Sequence, residues 1–151
     1  MSSTIALGAL IIAAFNAAVA AFGGLRWWRV EPSRAFWPLL RGAQVASALY
    51  AGACGAVALA GRTPEDGLFW LYVLLPLAVA FVGEQLRILS AQTVLDARDL
   101  PDARAVGTLP EAEQRSVVLQ IVRRELGVMA ISAAVAAFLL VRAAATAHGF
   151  A

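Results

Sequence analysis

The sequence predicts an all-α polytopic membrane protein: a four-helix transmembrane bundle whose third and fourth helices extend as a cytoplasmic helical hairpin. Two observations carry this prediction. Of the 151 residues, 61% are hydrophobic and only 15% are charged, whereas soluble domains are about half apolar and a quarter charged. The charges also lie between four long apolar runs, each near the roughly 20 residues that a helix needs to cross a bilayer. We therefore expect a single transmembrane domain over residues 1–151.

The predicted spans cover about residues 4–25, 39–61, 68–90 and 117–142. No positive charge precedes the first apolar run and arginines follow it, which is the reverse of a secretory signal peptide, so we expect a retained span. The connection after it combines aromatic rings with arginines, a pattern typical of the membrane interface. The residues predicted to lie at the lipid interface are Trp27, Trp28, Arg29 and Trp37.

The second span contains small residues at intervals of four. One helical face carries Ala43, Ser47, Ala51 and Gly55, and another carries Ala48, Gly52, Ala56 and Ala60. Small side chains allow helix backbones to approach closely within membranes. This pattern predicts that span two is the central packing helix, and it makes span two a candidate surface for a homo-oligomer or for a membrane-protein partner.

Helical composition continues beyond the third span to about Ala97, and Pro76 inside that span is a candidate kink. The last helix is predicted to begin at a capping box formed by Thr108 and Glu111 and to run to about Ala145. At 1.5 Å per residue it would be roughly 55 Å long, which exceeds the membrane thickness. Residues 88–118 are therefore predicted to form the cytoplasmic hairpin, a second candidate docking surface.

The positions of the arginines predict the orientation. All twelve basic residues are arginine, and ten of them lie in the segments 26–41 and 87–124. The positive-inside rule places both segments in the cytoplasm and, with four spans, both termini outside. Arginine without lysine, in an alanine-rich chain, also suggests a GC-rich bacterial genome. The predicted location is the bacterial cytoplasmic (inner) membrane, with the lipid bilayer as partner.

Polar side chains about one turn inside the cytoplasmic edge of the spans form the candidate site. They are Arg41, Gln44, Glu84, Arg87, Gln120, Arg124 and Glu125. A charge in the apolar region costs on the order of 3 kcal/mol unless it is paired or reaches the headgroups. One interpretation is an interhelical ion-pair lock that fixes helix register. The other is a cytoplasm-facing pocket that binds an anion or a lipid headgroup through the arginines.

The residue types exclude several kinds of chemistry. The single His148 lies near the C-terminus and the single Cys54 lies inside an apolar run, so paired-histidine haem ligation, histidine metal sites and dithiol chemistry are excluded within one chain. Hydrolase and nucleotide-binding motifs are also missing. We expect no metal, no cofactor and no enzymatic activity. We expect anionic lipid rather than nucleic acid as the counter-charge of the arginines.

The segment Arg-Gly-Ala-Gln-Val-Ala-Ser at 41–47 resembles the opening of the second span in the membrane-associated eicosanoid and glutathione metabolism family. That resemblance would imply a four-span enzyme that binds glutathione. Gly42 shifts the spacing of the motif, however, and alanine and serine replace the family's asparagine and glutamate region. Glutathione binding is therefore not carried over to these residues.

The sequence thus favours a non-enzymatic assembly, scaffold or accessory subunit of the membrane, which would dock through span two or through residues 88–118. The alternative is a small homo-oligomeric transporter, or a lipid- or anion-binding membrane protein, that uses the cytoplasm-facing Arg/Glu cluster. Spacing alone does not separate these two functions.

Overall fold

The computed structural model describes residues 2–150, and all the regular structure in that range is helical. The helices are α1 (Ser2–Arg29), α2 (Phe36–Leu59), α3 (Leu68–Asp96), the short α4 (Ala103–Val106) and α5 (Glu111–Ala145). Four of them are long and apolar enough to cross a membrane. The predicted all-α class with four candidate spans is therefore confirmed.

The four long helices alternate in direction around the bundle. The connections at 30–35 and 97–110 lie together at one end, here called the arginine-rich end. The turn at 60–67 and the C-terminal tail lie at the opposite end, where His148 O accepts a hydrogen bond from Glu65 N at 3.2 Å. Both arginine-rich connections thus share one end of the molecule.

The central helix of the bundle is α5, and the expectation that span two is central is wrong. Helix α5 packs extensively along α1 and α3, whereas α2 packs mainly on α1 and contacts α5 little. Half of the most apolar stretch of α5 is buried, against 28% or less for the other three helices. The reason is that only one small-residue face of α2 is used: Ala43, Ser47 and Ala51 are buried, while Ala48 and Gly52 are exposed.

Two layers of apolar side chains fill the bundle. The layer towards the arginine-rich end joins Phe36 and Leu40 of α2 to Leu126 and Met129 of α5. The layer towards the opposite end includes Phe69 of α3 and the C-terminal tail. The tail folds back across the bundle, so that Phe150 is buried and its ring meets that of Phe69 edge to face at 5.0 Å. This fold-back is a feature that the sequence analysis missed.

A conformational requirement explains how the tail turns back. Gly149 has a φ of +80°, and a Cβ at this position would collide with the side chain of Glu65. Glycine meets both conditions because it adopts positive φ without steric cost. The tail thereby closes the end of the bundle that lies away from the arginines.

Beyond the bundle, α3 continues to Asp96 and packs through Val94 and Leu95 on Val117 of α5. The predicted capping box is wrong. Helix α5 begins after Pro110, while Thr108 Oγ1 donates a hydrogen bond to Ala105 O at 2.7 Å and so closes α4 instead. The short α4 was not predicted, and Asp102 caps it by accepting hydrogen bonds from the backbone amides of Arg104 and Ala105.

Candidate functional site

The centre of the candidate site is a triad of Arg41, Glu84 and Arg87, which links α2 to α3. Arg41 Nη1 lies 2.7 Å from Glu84 Oε1, and Arg87 Nε lies 3.3 Å from Glu84 Oε2. Glu84 is 20% exposed and Arg87 is 28% exposed, whereas Arg41 is 51% exposed. The carboxylate of Glu84 is therefore closed between two guanidinium groups rather than open to a ligand.

Local packing positions this triad. A Cβ on Gly83 would lie only 2.5 Å from Ser132 Oγ, so the missing side chain lets α3 approach α5 closely next to Glu84. On the other side, the Arg87 guanidinium stacks over the Trp37 ring, 4.9 Å from its centroid. A cation over an indole face is attracted by the ring quadrupole. Arg87 is thus held between a carboxylate on its own helix and a ring at the start of α2.

A polar path leads from the triad into the bundle. Arg41 Nη1 donates a hydrogen bond to Gln44 Oε1 at 2.8 Å, and Gln44 lines an internal cavity of about 10 Å³ together with Asn16 and Ser47. Asn16 is 2% exposed, and its Nδ2 donates to Ser47 Oγ at 3.3 Å. A cavity of this size holds about one water molecule. The path ties α1 to α2 and leaves no room for a solute.

Of the seven predicted site residues, the structure brings four together: Arg41, Gln44, Glu84 and Arg87. The other three form no ion pair and no side-chain hydrogen bond with these four among residues 2–150, although Glu125 is near enough to interact electrostatically with Arg87 and Glu84. Gln120 and Arg124 are exposed on α5, and Glu125 is half-buried and lines a separate groove beside the α1–α2 connection.

The predicted interface residues divide into two pairs. Trp28 and Arg29 are exposed at the end of α1. The other pair carries stacked arginines: Arg123 of α5 lies over the ring of Trp27, which is also exposed, at 5.3 Å, and Arg87 lies over the half-buried Trp37. Sequence spacing holds no signal for these two contacts, since each joins residues that are distant in the chain.

Within residues 2–150, no group of three or more potential metal-ligating side chains lies together. Cys54 is buried in the apolar core, next to Tyr50, whose hydroxyl donates to Ile5 O at 3.0 Å. These polar atoms serve helix packing at the end opposite the triad.

Comparisons of this chain with protein families, with curated proteins and with solved structures found no match.

Proposed function

We propose that the chain is a multi-pass integral protein of a bacterial cytoplasmic membrane, with its arginine-rich end in the cytoplasm and both termini outside. The spacing of its charges supports this. The uncharged stretch between Asp66 and Glu84 and the one between Glu125 and Arg142 are each about 26–27 Å long at 1.5 Å per residue. A hydrocarbon core is about 30 Å thick.

The outer faces of the helices support insertion independently. Leu7, Leu49, Leu74 and Phe138, one on each long helix, are between 51% and 69% exposed. Lipid tails would cover these side chains, whereas in water such a continuous apolar surface would promote aggregation. The ten arginines gathered at one end support the orientation through the positive-inside rule.

Within that membrane, we propose a non-enzymatic role as an assembly, scaffold or accessory subunit. The observation that carries this proposal is the closed Arg41–Glu84–Arg87 triad, beneath which the bundle holds a cavity of only about 10 Å³. Charges that are already paired act as a lock between helices, and an interior filled by side chains favours a structural role over passage of a solute.

The docking surface of this subunit would be the hairpin at 88–118, on the cytoplasmic side. The hairpin carries exposed charges of both signs, including Asp99, Arg104 and Arg115, and such charges select partners by complementarity. The exposed small-residue face of α2, with Ala48 and Gly52, is the second surface through which copies of the chain or another membrane protein could pack.

The alternative is a small homo-oligomeric transporter, or a lipid- or anion-binding protein, that uses the Arg/Glu cluster. The triad gives this alternative little support because Glu84 already forms ion pairs with both Arg41 and Arg87. The groove next to Glu125 supports the lipid-binding form of this alternative. The Glu125 carboxylate lies outside the triad, so it is available to a ligand.

The test is photocrosslinking in native membranes from a label placed at Ala112, next to the exposed arginines of the hairpin. We expect adducts of defined mass that disappear when Arg104→Glu and Arg115→Glu are combined and that persist in Arg62→Glu, a charge reversal at the opposite end. Helical circular dichroism should be the same for all variants. Adducts that ignore the hairpin reversals, or a chain that forms none, would rule out hairpin-mediated assembly.

A further inference from the structure

A groove of about 130 Å³ runs along the arginine-rich end, between the α1–α2 connection and α5. Its polar lining comes from Ser33, Arg34 and Glu125, and its apolar lining includes Trp37, Val122 and Leu126. The groove therefore offers a carboxylate, a guanidinium and an apolar wall within one small volume.

Glu125 is the unusual member of this groove. It is half-buried on α5, and within residues 2–150 it forms no ion pair and no side-chain hydrogen bond. Glu84, at similar depth on α3, is closed by two arginines. The attraction that Glu125 receives comes from Arg87, which is already paired with Glu84. A half-buried carboxylate without an ion-pair partner of its own is unfavourable near a membrane, so the groove is complementary to a positively charged group.

Arg34 supplies the opposite charge on the facing wall. It is exposed on the α1–α2 connection and forms no ion pair with Glu125, although both line the groove. Arg26 on the same side of the molecule is already paired with Glu31 at 2.7 Å, and Arg87 is held by Glu84. Arg34 is therefore available for an anionic oxygen, and arginine suits phosphate oxygens through paired hydrogen bonds.

We propose that this groove binds the phosphoethanolamine headgroup of a membrane phospholipid. The primary ammonium would donate hydrogen bonds to the Glu125 carboxylate, the phosphate would accept them from Arg34, and the start of the acyl region would lie on Val122 and Leu126. The depth is suitable, because Trp37 at the same groove is an aromatic residue of the kind that lies at headgroup level.

The charge pattern separates this ligand from other lipids. A phosphatidylglycerol headgroup would bring a phosphate but no cation for Glu125. A choline headgroup carries a quaternary nitrogen that has no N–H to donate. The proposal extends the lipid-binding form of the proposed function and depends on membrane insertion of the chain.

The test is native mass spectrometry of the full chain released from nanodiscs that contain equal amounts of phosphatidylethanolamine, phosphatidylglycerol and phosphatidylcholine with identical acyl chains. We expect the wild type to retain phosphatidylethanolamine about tenfold over the other two, the factor expected from one charge-assisted hydrogen bond. Glu125→Gln should abolish this preference, and Arg34→Gln should reduce total retention. The controls Glu113→Gln and Arg98→Gln, on exposed residues of the same end, should behave as wild type.

Three outcomes would overturn the proposal. The first is equal retention of all three lipids, and the second is an unchanged preference for phosphatidylethanolamine in Glu125→Gln. The third is that soluble glycerophosphoethanolamine, added in detergent, occupies the site as fully as the lipid does, which would assign the site to a free solute. If Glu125→Gln loses its helical circular dichroism, the exposed Arg34→Gln is the deciding variant. Lipid retention by Arg34→Gln equal to that of the wild type would then refute the site. Flotation with vesicles separates the two proposals, since a chain that floats but shows no preference leaves insertion intact.

Discussion

Replacing Glu84 with glutamine removes the charge that joins α2 to α3 while keeping the shape of the side chain. Two contacts lose their electrostatic attraction, Arg41–Glu84 at 2.7 Å and Arg87–Glu84 at 3.3 Å. Helix α2 also packs on α5 through Phe36 and Leu40, but the triad is the ion-paired link between α2 and α3. We therefore expect Glu84→Gln to lower the free energy of unfolding.

The expected loss of stability in Glu84→Gln depends on how exposed the three side chains of the triad are. Removing one partner of a buried ion pair costs about 3–5 kcal/mol, whereas exposed pairs contribute about 0–1 kcal/mol. Glu84 is 20% exposed and Arg41 is 51% exposed, which places the triad between these limits. We expect a loss of about 2 kcal/mol, equivalent to a decrease in Tm of about 4–8 °C for a chain of this size.

The assay is thermal unfolding in detergent, followed by circular dichroism and tryptophan fluorescence. Glu31→Gln is the matched control, because it makes the same change in an exposed pair with Arg26, also at 2.7 Å, and should lower Tm by no more than about 3 °C. The double variant Arg41→Gln with Glu84→Gln should lose less than the sum of the single variants. A Glu84→Gln variant as stable as Glu31→Gln would refute the lock.

Two further variants test the packing of the bundle. Gly83→Ala should lower the free energy of unfolding by about 1–3 kcal/mol through overpacking, because the new Cβ would lie 2.5 Å from Ser132 Oγ. The control Gly52→Ala, with open space around it, should be neutral or stabilising. Equal effects of the two substitutions in chemical denaturation would contradict the close approach of α3 and α5. Phe150→Ala should lower the free energy of unfolding by about 3 kcal/mol by removing a buried ring from the tail, whereas Phe138→Ala, at a side chain 63% exposed, should change Tm little. A wild-type Tm for Phe150→Ala would show that the tail does not close the bundle.

The helices and their order could be predicted from the sequence because long apolar runs and their breakers report directly on helix position. The last helix was expected to reach about Ala145 and ends there. The first span was expected to end near residue 25, yet α1 continues to Arg29. Nothing in that segment disfavours helix before Pro32, so the helix extends past the apolar run that defines the span.

The central helix could not be predicted from the spacing of small residues. That spacing shows which faces of α2 permit close approach, but it does not show which faces are occupied. Ala48 and Gly52 remain exposed, whereas Ala133 and Ala137 of α5 are buried. The alanines of α5 carry the same signal as the small residues of α2.

The level of the charged residues along the helix axes predicted that Arg41, Glu84 and Arg87 could meet. The direction in which each side chain points from its helix determines which of the predicted residues do meet. Arg41, Glu84 and Arg87 lie at one level and meet. Arg124 and Glu125 lie at the same level on α5, and successive helical residues point about 100° apart. Glu125 therefore enters the groove while Arg124 faces outwards. Residue order alone does not fix how far each helix is rotated about its axis.

The most direct test of membrane insertion and orientation is cysteine accessibility in sealed membrane vesicles. Single cysteines at Thr63, in the turn, and at Thr108, in the hairpin, would be introduced into a Cys54→Ala chain and labelled with an impermeant maleimide. We expect Thr63→Cys to react only in right-side-out vesicles and Thr108→Cys only in inverted ones. Reaction of both residues on the same side, or equal reaction of both in each kind of vesicle, would contradict the proposed topology.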